Sequence, residues 1–515
     1  MKKFLSVLIV IVVSVSLVAL LSLSGCKEEA APAEEAVEEA APAEEAVEEA
    51  APAEEAVEEA APAEEAVEEA APAEEAVEEA APAEEAVEEA APAEEKPYEG
   101  RTLKIHWAVF APSDALQVIC DDVFTPLTGI EVIVEQTPWS DFTSKYNAEL
   151  IAGGDAWDII IGDSQDVGNC AERGHFVEIT EYVMEWGLKD KFTPECLSYF
   201  GEWPKGGDRY YGVPCLTDPT HFAYRIDLLE EDAEIAAGFE AEYGYELGVP
   251  ATWDMLIDVA NYFNDNVEGM YGIGVYGDNG YDSLNMFGET AIWCYGGELG
   301  DYETGEVMGI INSEKSIEGI EAYRKLFLTT PPGHGTAFFE ENNNAYLSGL
   351  VPMVFNYTAT FPALVNRETN PFYDQTGYFI TPEGPYGDQY TSLGGQQASV
   401  ISYSSNQDIA IEWLEWWCQD ETQVLYSTYP GCFNASYAIL NDPDFPTATP
   451  INQIAIDSTP ILKDWWAVPE YAQTIRTFAD TVGKYVIGGE GTAKEAMDSV
   501  AEQWYEVFEE AGYYD

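Results

Sequence analysis

Strand and helix patterns alternate along the chain from residue 101 onward, and this alternation restricts the fold more than any other feature. Apolar side chains occupy every second position over residues 103–109, as in a half-buried strand, and an apolar helical face follows from Leu116 to Phe124. A strand pattern over residues 130–134, a second helical stretch and a short apolar strand over residues 158–161 complete a β-α-β-α-β order. Such an order predicts an α/β fold with a parallel sheet and helices on both faces. Ligands of such sheets bind beyond the carboxyl ends of the strands.

A decapeptide, EEAAPAEEAV, repeats from Glu28 to Glu95 with a proline in every copy. The repeat has no aromatic residue and one valine per copy, so it cannot bury enough apolar surface to offset the entropy of ordering the chain. The regular prolines interrupt helix, and carboxylates three or four residues apart repel each other. The pattern predicts an extended tether over residues 26–96, with binding of cations or of a basic partner as the alternative role.

Residues 1–25 have the pattern of an export signal. Two lysines precede an apolar run from Phe4 to Leu21, and the tetrapeptide LSGC then ends at Cys26. This tetrapeptide resembles the lipobox of bacterial lipoproteins, which implies that Cys26 is diacylated and anchors the protein to a membrane. An uncleaved transmembrane helix is the alternative, because the apolar run approaches the ~20 residues that span a bilayer. Both interpretations place residues 97–515 at the cell surface or in the periplasm.

Acidic residues dominate the charged composition. The chain has 96 Asp and Glu against 21 Lys and Arg, for a formal net charge of −75 at pH 7. Nucleic acid is therefore not expected as a partner, because phosphate binding needs a basic surface. Direct adhesion of the folded part to anionic lipid is disfavoured for the same reason.

The cysteines and histidines suggest neither a metal site nor a redox cofactor. After Cys26 come Cys120, Cys170, Cys196, Cys215, Cys294, Cys418 and Cys432. An odd number of thiols cannot all pair, no CxxC occurs, and the four histidines have no metal-ligand spacing. Cys120 lies on an apolar helical face, which predicts a buried free thiol. One or two disulfides among the others stay open.

An ordered series of segments carries a resemblance to a known family. The run from Thr128 to Val183 has a Thr-Gly-Ile strand, a helix opened by Trp139, a Gly-Gly-Asp turn and a strand that ends at Asp163. Further matching segments lie at residues 210–231, 250–260, 348–357 and 393–417, and GGEGTAKEAMDSV lies near the end. Together they resemble the sugar-type extracellular solute-binding proteins, the maltose-binding-protein-like family, over nearly all of residues 101–510.

The resemblance implies a two-lobed periplasmic-binding-protein fold with a hinge and a ligand cleft between the lobes. The first lobe is expected at about residues 101–216 and 355–400, and the second at about residues 217–354 and 401–515. Family members close over a solute by hinge motion, and the closed form is what an ABC transporter permease recognises. We therefore expect a monomer that binds without covalent chemistry.

Candidate ligand-binding residues follow from positions at strand ends, at hinge crossings and in matching family segments. They are Trp107, Asp163, Ser164, Gln165, Asp218, Trp293, Asn356, Tyr357, Gly395, Gln396 and Tyr429. Core packing is the alternative for Trp107 and Trp293, and a helix cap or a turn is the alternative for Asp163 and Asp218. An arginine or proline that the family often has near Tyr429 is missing, which leaves the identity of the sugar open. A tryptophan stripe at helical spacing, Trp413, Trp416 and Trp417, is interpreted as core.

A neutral mono- or oligosaccharide is the favoured ligand, because the folded part is rich in the aromatic, acidic and amide residues that bind sugars. A polyamine or another cation comes second, given the many carboxylates. Anionic ligands are disfavoured because no arginine falls in the proposed cleft loops. Two other protein classes stay open: a secreted glycoside hydrolase with paired carboxylates, and a surface adhesion or structural lipoprotein.

Overall fold

The computed structural model describes residues 96–280 and 283–514, with Ser140 described by its backbone alone. The predicted signal peptide, the lipidation site Cys26 and all but the last residue of the predicted tether lie outside the described residues. Within those ranges, no helix is both long and apolar enough to cross a membrane.

A mixed sheet forms the centre of the described fold. Its strands are β1 (Thr102–Ala108), β2 (Glu131–Thr137), β3 (Ile159–Asp163), β4 (Val213–Arg225), β5 (Met353–Tyr357), β6 (Thr376–Phe379), β7 (Thr391–Val400) and β8 (Leu462–Lys463). The spatial order is β2-β1-β3-β7-β4-β5, with β6 paired to β4 and β8 paired to β7.

Helices cover the sheet. They are α1 (Ala111–Ile119), α2 (Thr125–Thr128), α3 (Trp139–Ala152), α4 (Val167–Glu172), α5 (Thr180–Glu185), α6 (Pro194–Gly201), α7 (Ala233–Tyr243), α8 (Trp253–Asn266), α9 (Ser283–Cys294), α10 (Glu314–Phe327), α11 (Phe339–Leu347), α12 (Gln407–Trp417), α13 (Asp420–Ser427), α14 (Tyr437–Leu440), α15 (Phe445–Ala448), α16 (Asn452–Ser458), α17 (Tyr471–Val486) and α18 (Ala493–Glu510). The π-helical turns Cys120–Phe124 and Asp227–Glu231 and several 3₁₀ turns complete the helical structure.

The predicted β-α-β-α-β unit is present at the start of this fold. Strand β1 pairs in parallel with β2 on one side and with β3 on the other. In β2 the side chains of Val132 and Val134 are buried while Ile133 between them is 43% exposed, which is the alternation of a strand with one covered face. Helix α3 then ends at Gly153, whose φ of 64° suits glycine. The predicted α/β class is confirmed.

Strand β4 passes from one hydrophobic core to another. Its first half, from Val213 to Pro219, pairs antiparallel with β7, and its second half pairs with β5 and β6. The first core is built around residues 103–216 and 398–432, and the second around residues 222–379 and 465–508. The residue ranges of these two cores differ from the predicted lobe ranges. The lobe ranges stay a prediction.

Helix α12 explains why residues after 400 pack on the first core. Trp413 and Trp417 are fully buried and stack with their ring centroids 5.6 Å apart. The Trp417 indole N–H donates to the carbonyl oxygen of Pro214 in β4 at 2.8 Å. The prediction that this tryptophan stripe is core is confirmed. All seven cysteines of the described residues are buried free thiols, as expected for Cys120, and none forms a disulfide.

Candidate ligand-binding pocket

A pocket of about 490 Å³, a volume that includes its opening to solvent, lies where several strands and helices end. Its lining consists of Phe110, Trp139, Asp163, Gln165, Asp218, Phe338, Phe339, Tyr357, Thr360, Gly394, Gly395 and Gln396. Asp163 ends β3 and Tyr357 ends β5, while Trp139 begins α3 and Phe339 begins α11.

Six predicted residues come together in this lining. They are Asp163, Gln165, Asp218, Tyr357, Gly395 and Gln396. The sequence places them as far apart as residues 163 and 396, and the antiparallel pairing of β3 with β7 sets Asp163 opposite Gln396. The pairing of β4 with β7 then sets Asp218 opposite Gly394. Sheet register therefore brings Asp163, Asp218 and Gln396 together.

The other five predicted residues lie outside the lining. Trp107, Ser164, Trp293 and Asn356 are wholly buried, and Tyr429 packs partly buried against the first core. Trp107 contacts Phe110 edge to face, with centroids 5.2 Å apart, so it supports a wall residue from behind. Trp293 belongs to the second core, where the ammonium of Lys463 lies 5.2 Å from its ring centroid.

Asn356 has its side-chain amide engaged in the protein. Its Oδ1 accepts from the Tyr276 hydroxyl at 2.6 Å, and its Nδ2 donates to the Phe339 carbonyl oxygen and to Asn343 Oδ1 at 2.9 Å each. These bonds hold the start of α11. Asn356 therefore positions the pocket wall at Phe339 through the backbone.

Sequence reasoning missed five lining residues: Phe110, Trp139, Phe338, Phe339 and Thr360. Gly394, next to the predicted Gly395, also lines the pocket. Phe110 and Trp139 lie two residues after the carboxyl ends of β1 and β2. Ligands bind beyond the carboxyl ends of such strands, so this position could have identified both residues. Phe338 and Phe339 begin a helix far from any strand end, and no local pattern marks them. Trp139 and Phe110 contact edge to face with centroids 5.2 Å apart and form one aromatic wall.

Two glycines of β7 make room for aromatic side chains. A Cβ on Gly394 would lie 2.1 Å from Cε1 of Tyr357. A Cβ on Gly395 would lie 2.5 Å from Cζ of Phe200 and 2.6 Å from the carbonyl oxygen of Leu216. Glycine at 394 therefore allows the Tyr357 ring to lie against the backbone of β7 inside the pocket.

The polar lining residues are hydrogen-bonded to the protein on one side. Gln165 Nε2 donates to Asp464 Oδ1 at 3.0 Å, and Gln396 Nε2 donates to Asp163 Oδ1 at 3.4 Å. Asp218 Oδ1 accepts from the backbone N–H of Ala359 at 2.8 Å. These bonds fix the orientation of the carboxylates and amides before any ligand enters.

The pocket is acidic. Among the described residues, its lining contains two aspartates and no Lys, Arg or His. Burial raises the pKa of Asp218 well above its ordinary value, and the Ala359 N–H opposes that shift. Behind the pocket, burial also raises the pKa of Asp464, against the opposing charge of Lys205. No group of three or more His, Cys, Asp or Glu among the described residues could hold a metal ion.

Comparison with known protein families identifies the family of this chain. A family model described as bacterial extracellular solute-binding protein matches residues 110–424, which is more than half of the chain. The chain belongs to the bacterial extracellular solute-binding protein family. Membership confirms the resemblance to extracellular solute-binding proteins seen in the sequence, and it indicates that this solute-binding protein is exported. The matched range contains all the residues that line the pocket.

Individual relatives of this solute-binding protein are distant. A probable ABC transporter-binding protein of Deinococcus radiodurans is 26% identical over 204 residues, or 39% of this chain and 45% of the relative. An erythritol/L-threitol-binding protein of Mycolicibacterium smegmatis is 21% identical over 309 residues, or 57% of this chain and 61% of the relative. The chain thus spans about half of these relatives. The maltose-bound structure of T. maritima MalE3 superposes with a TM-score of 0.68 at 20% identity, covering 79% of this chain and 99% of that one. This likeness shows a shared fold.

Proposed function

We propose that the protein captures a small saccharide or sugar alcohol outside the cell and delivers it to an ABC transporter permease. The pocket carries this proposal because it joins aromatic side chains, which stack on the CH faces of sugars, to carboxylates and amides, which bind hydroxyls. The relatives that bind erythritol or L-threitol and maltose support the same ligand class.

Closure of two lobes is the proposed delivery step. We assign the first lobe to the core around residues 103–216 and 398–432, and the second to the core around residues 222–379 and 465–508. Strand β4 joins the two cores, and the pocket takes Asp163 from the first part of the chain and Phe339 from the part near the second core. Ligand that contacts both sides stabilises the closed form, which the permease recognises.

The anchor is proposed from the sequence. Cys26, diacylated after cleavage, would hold the protein at a membrane, and the acidic repeat up to Lys96 would space the binding domain away from it. Mass spectrometry of the membrane fraction should find two acyl chains on an N-terminal Cys26. A Cys26→Ser variant that still fractionates with the membrane would argue for an uncleaved transmembrane helix.

Calorimetric titration with neutral monosaccharides, disaccharides, trisaccharides and sugar alcohols tests the proposed ligand class. A thermal-shift screen selects candidates first, since ligand at 100 times its Kd stabilises the native state by about 2.7 kcal/mol. One-to-one binding without product formation supports the proposal. Turnover of a sugar would favour a glycoside hydrolase, and absence of any shift would favour an adhesion protein.

A variant pair localises the binding. Trp139→Ala removes one aromatic wall of the pocket and should weaken binding by at least tenfold, because stacking area is lost. Tyr437→Ala removes an aromatic side chain that is 39% exposed and outside the lining, and it should bind like the wild type. Equal loss in both variants would place the site elsewhere.

A further inference from the structure

Several hydrogen-bond donors of the pocket lining are used within the protein. One side-chain N–H of Gln165 donates to Asp464, one of Gln396 donates to Asp163, and the hydroxyl of Thr360 donates to the carbonyl oxygen of Tyr357 at 2.8 Å. Each glutamine amide thereby commits one of its two N–H groups to the protein.

The lining also contains acceptor groups that few protein donors serve. Gln396 is only 4% exposed, and its Oε1 has no hydrogen-bond partner among the described residues. Asp218 is 6% exposed. Its Oδ1 accepts one hydrogen bond from the described residues, which the Ala359 N–H donates. A buried acceptor without a donor is costly, so the lining is matched to a ligand rich in donors.

The charges of the lining also favour a ligand that is rich in donors. Asp163 and Asp218 lie in a lining to which the described part of the chain contributes no cationic side chain, and burial raises the pKa of Asp218. A carboxylate under such burial is stabilised by a positive group within a few ångströms. The formal net charge of −75 also draws cations toward the protein and repels anions.

We propose that the solute is an amino sugar, a saccharide with a protonated amino group that lies between Asp218 and Asp163. This inference rests on the proposed saccharide-binding function and deepens it. An ammonium provides three donors and no acceptor, whereas a hydroxyl provides one donor and also needs donors from the wall. The rings of Trp139 and Tyr357 favour a cation near their faces and also stack on the sugar.

A matched ligand series tests the proposal on the full-length protein. Calorimetry compares glucosamine and its β-1,4-linked dimer and trimer with the N-acetylated compounds and with glucose and its β-1,4-linked oligomers. Acetylation keeps the ring and removes the charge. We expect the free amines to bind at least tenfold more tightly than both neutral series, which corresponds to about 1.4 kcal/mol.

Two variants assign the effect to the pocket. Asp218→Asn keeps an oxygen that accepts from the Ala359 N–H and removes the charge, so it should abolish the preference for the free amine. Asp163→Asn serves the same purpose if the first variant does not fold. Glu303→Gln removes one charge from an exposed position and should keep the preference. A preference unchanged in both aspartate variants would overturn the proposal.

The possible ligand outcomes separate this inference from the proposed function. Neutral or acetylated sugars that bind as tightly as the amines would overturn the amino-sugar assignment and leave saccharide capture standing. Spermidine that binds while no saccharide does would overturn both. Tighter binding of the free amines that depends on Asp218 supports both.

Discussion

His221 in β4 should make the protein sensitive to acid. Its side chain is fully buried, and neither ring nitrogen has a hydrogen-bond partner among the described residues. The ring packs against Phe361 with centroids 5.1 Å apart. Burial lowers the pKa of His221 to about 3. Replacement by leucine, which cannot titrate, should therefore raise stability at acid pH relative to the wild type.

The magnitude follows from proton linkage. The unfolded chain takes up the proton near pH 6.5, whereas the folded protein takes it up only near pH 3, so stability is lost as the pH falls through this window. For a pKa of about 6.5 unfolded and about 3 folded, the loss between neutral pH and about pH 4.5 is about 2.7 kcal/mol. The His221→Leu variant lacks this loss, so its advantage over the wild type should grow by that amount.

Urea unfolding followed by circular dichroism at about pH 7.5 and about pH 4.5 measures the difference. Any packing cost of leucine is the same at both pH values and cancels in the comparison. Phe361→Leu is the matched control, because it alters the same contact without a titrating group and should shift stability equally at both pH values. A pH-independent difference between His221→Leu and the wild type would refute the reasoning.

Three further outcomes are expected. Gly394→Ala should weaken ligand binding at least tenfold because it displaces the Tyr357 ring. Gly248→Ala is the control and should leave binding unchanged, because a Cβ there meets nothing within 4 Å. Equal affinities of the two variants in calorimetry would contradict this prediction. Trp413→Ala should cost about 3 to 5 kcal/mol in urea unfolding, and a cost under about 1 kcal/mol would show that the stripe is not core. The seven cysteines from Cys120 to Cys432 should react with a thiol reagent in denaturant and resist it in the native state, and fast native labelling would contradict their burial.

Positions along strands were the most predictable part of the site. Asp163, Asp218 and Gln396 were found because strand ends and crossings are visible as local patterns, and sheet pairing brings such positions together. The α/β class followed from the same alternation of patterns. Neither result needs information about distant contacts.

Side-chain direction accounts for some of the predicted residues that lie outside the lining. Neighbouring residues of a strand point to opposite faces, so Asn356 and Tyr357 cannot both project into one cavity. Tyr357 lines it, and Asn356 faces the other way into a hydrogen-bond network. Trp107 shares its face of β1 with Leu103 and Ile105, all fully buried, so the period of two already favours core packing for it.

Long-range contacts account for what no pattern could reveal. Phe339 reaches the pocket because Asn356 binds its carbonyl oxygen, and the Gln165 amide is oriented by Asp464, a residue 299 positions later in the chain. The second contact has a chemical consequence. Because Asp464 accepts one of the two N–H groups of Gln165, that donor is turned away from the ligand. A residue outside the lining thus withholds a donor from the pocket. Asp464→Ala removes this acceptor and should change ligand preference in calorimetric titrations, although the Asp464 side chain does not line the cavity; an unchanged preference would contradict this role.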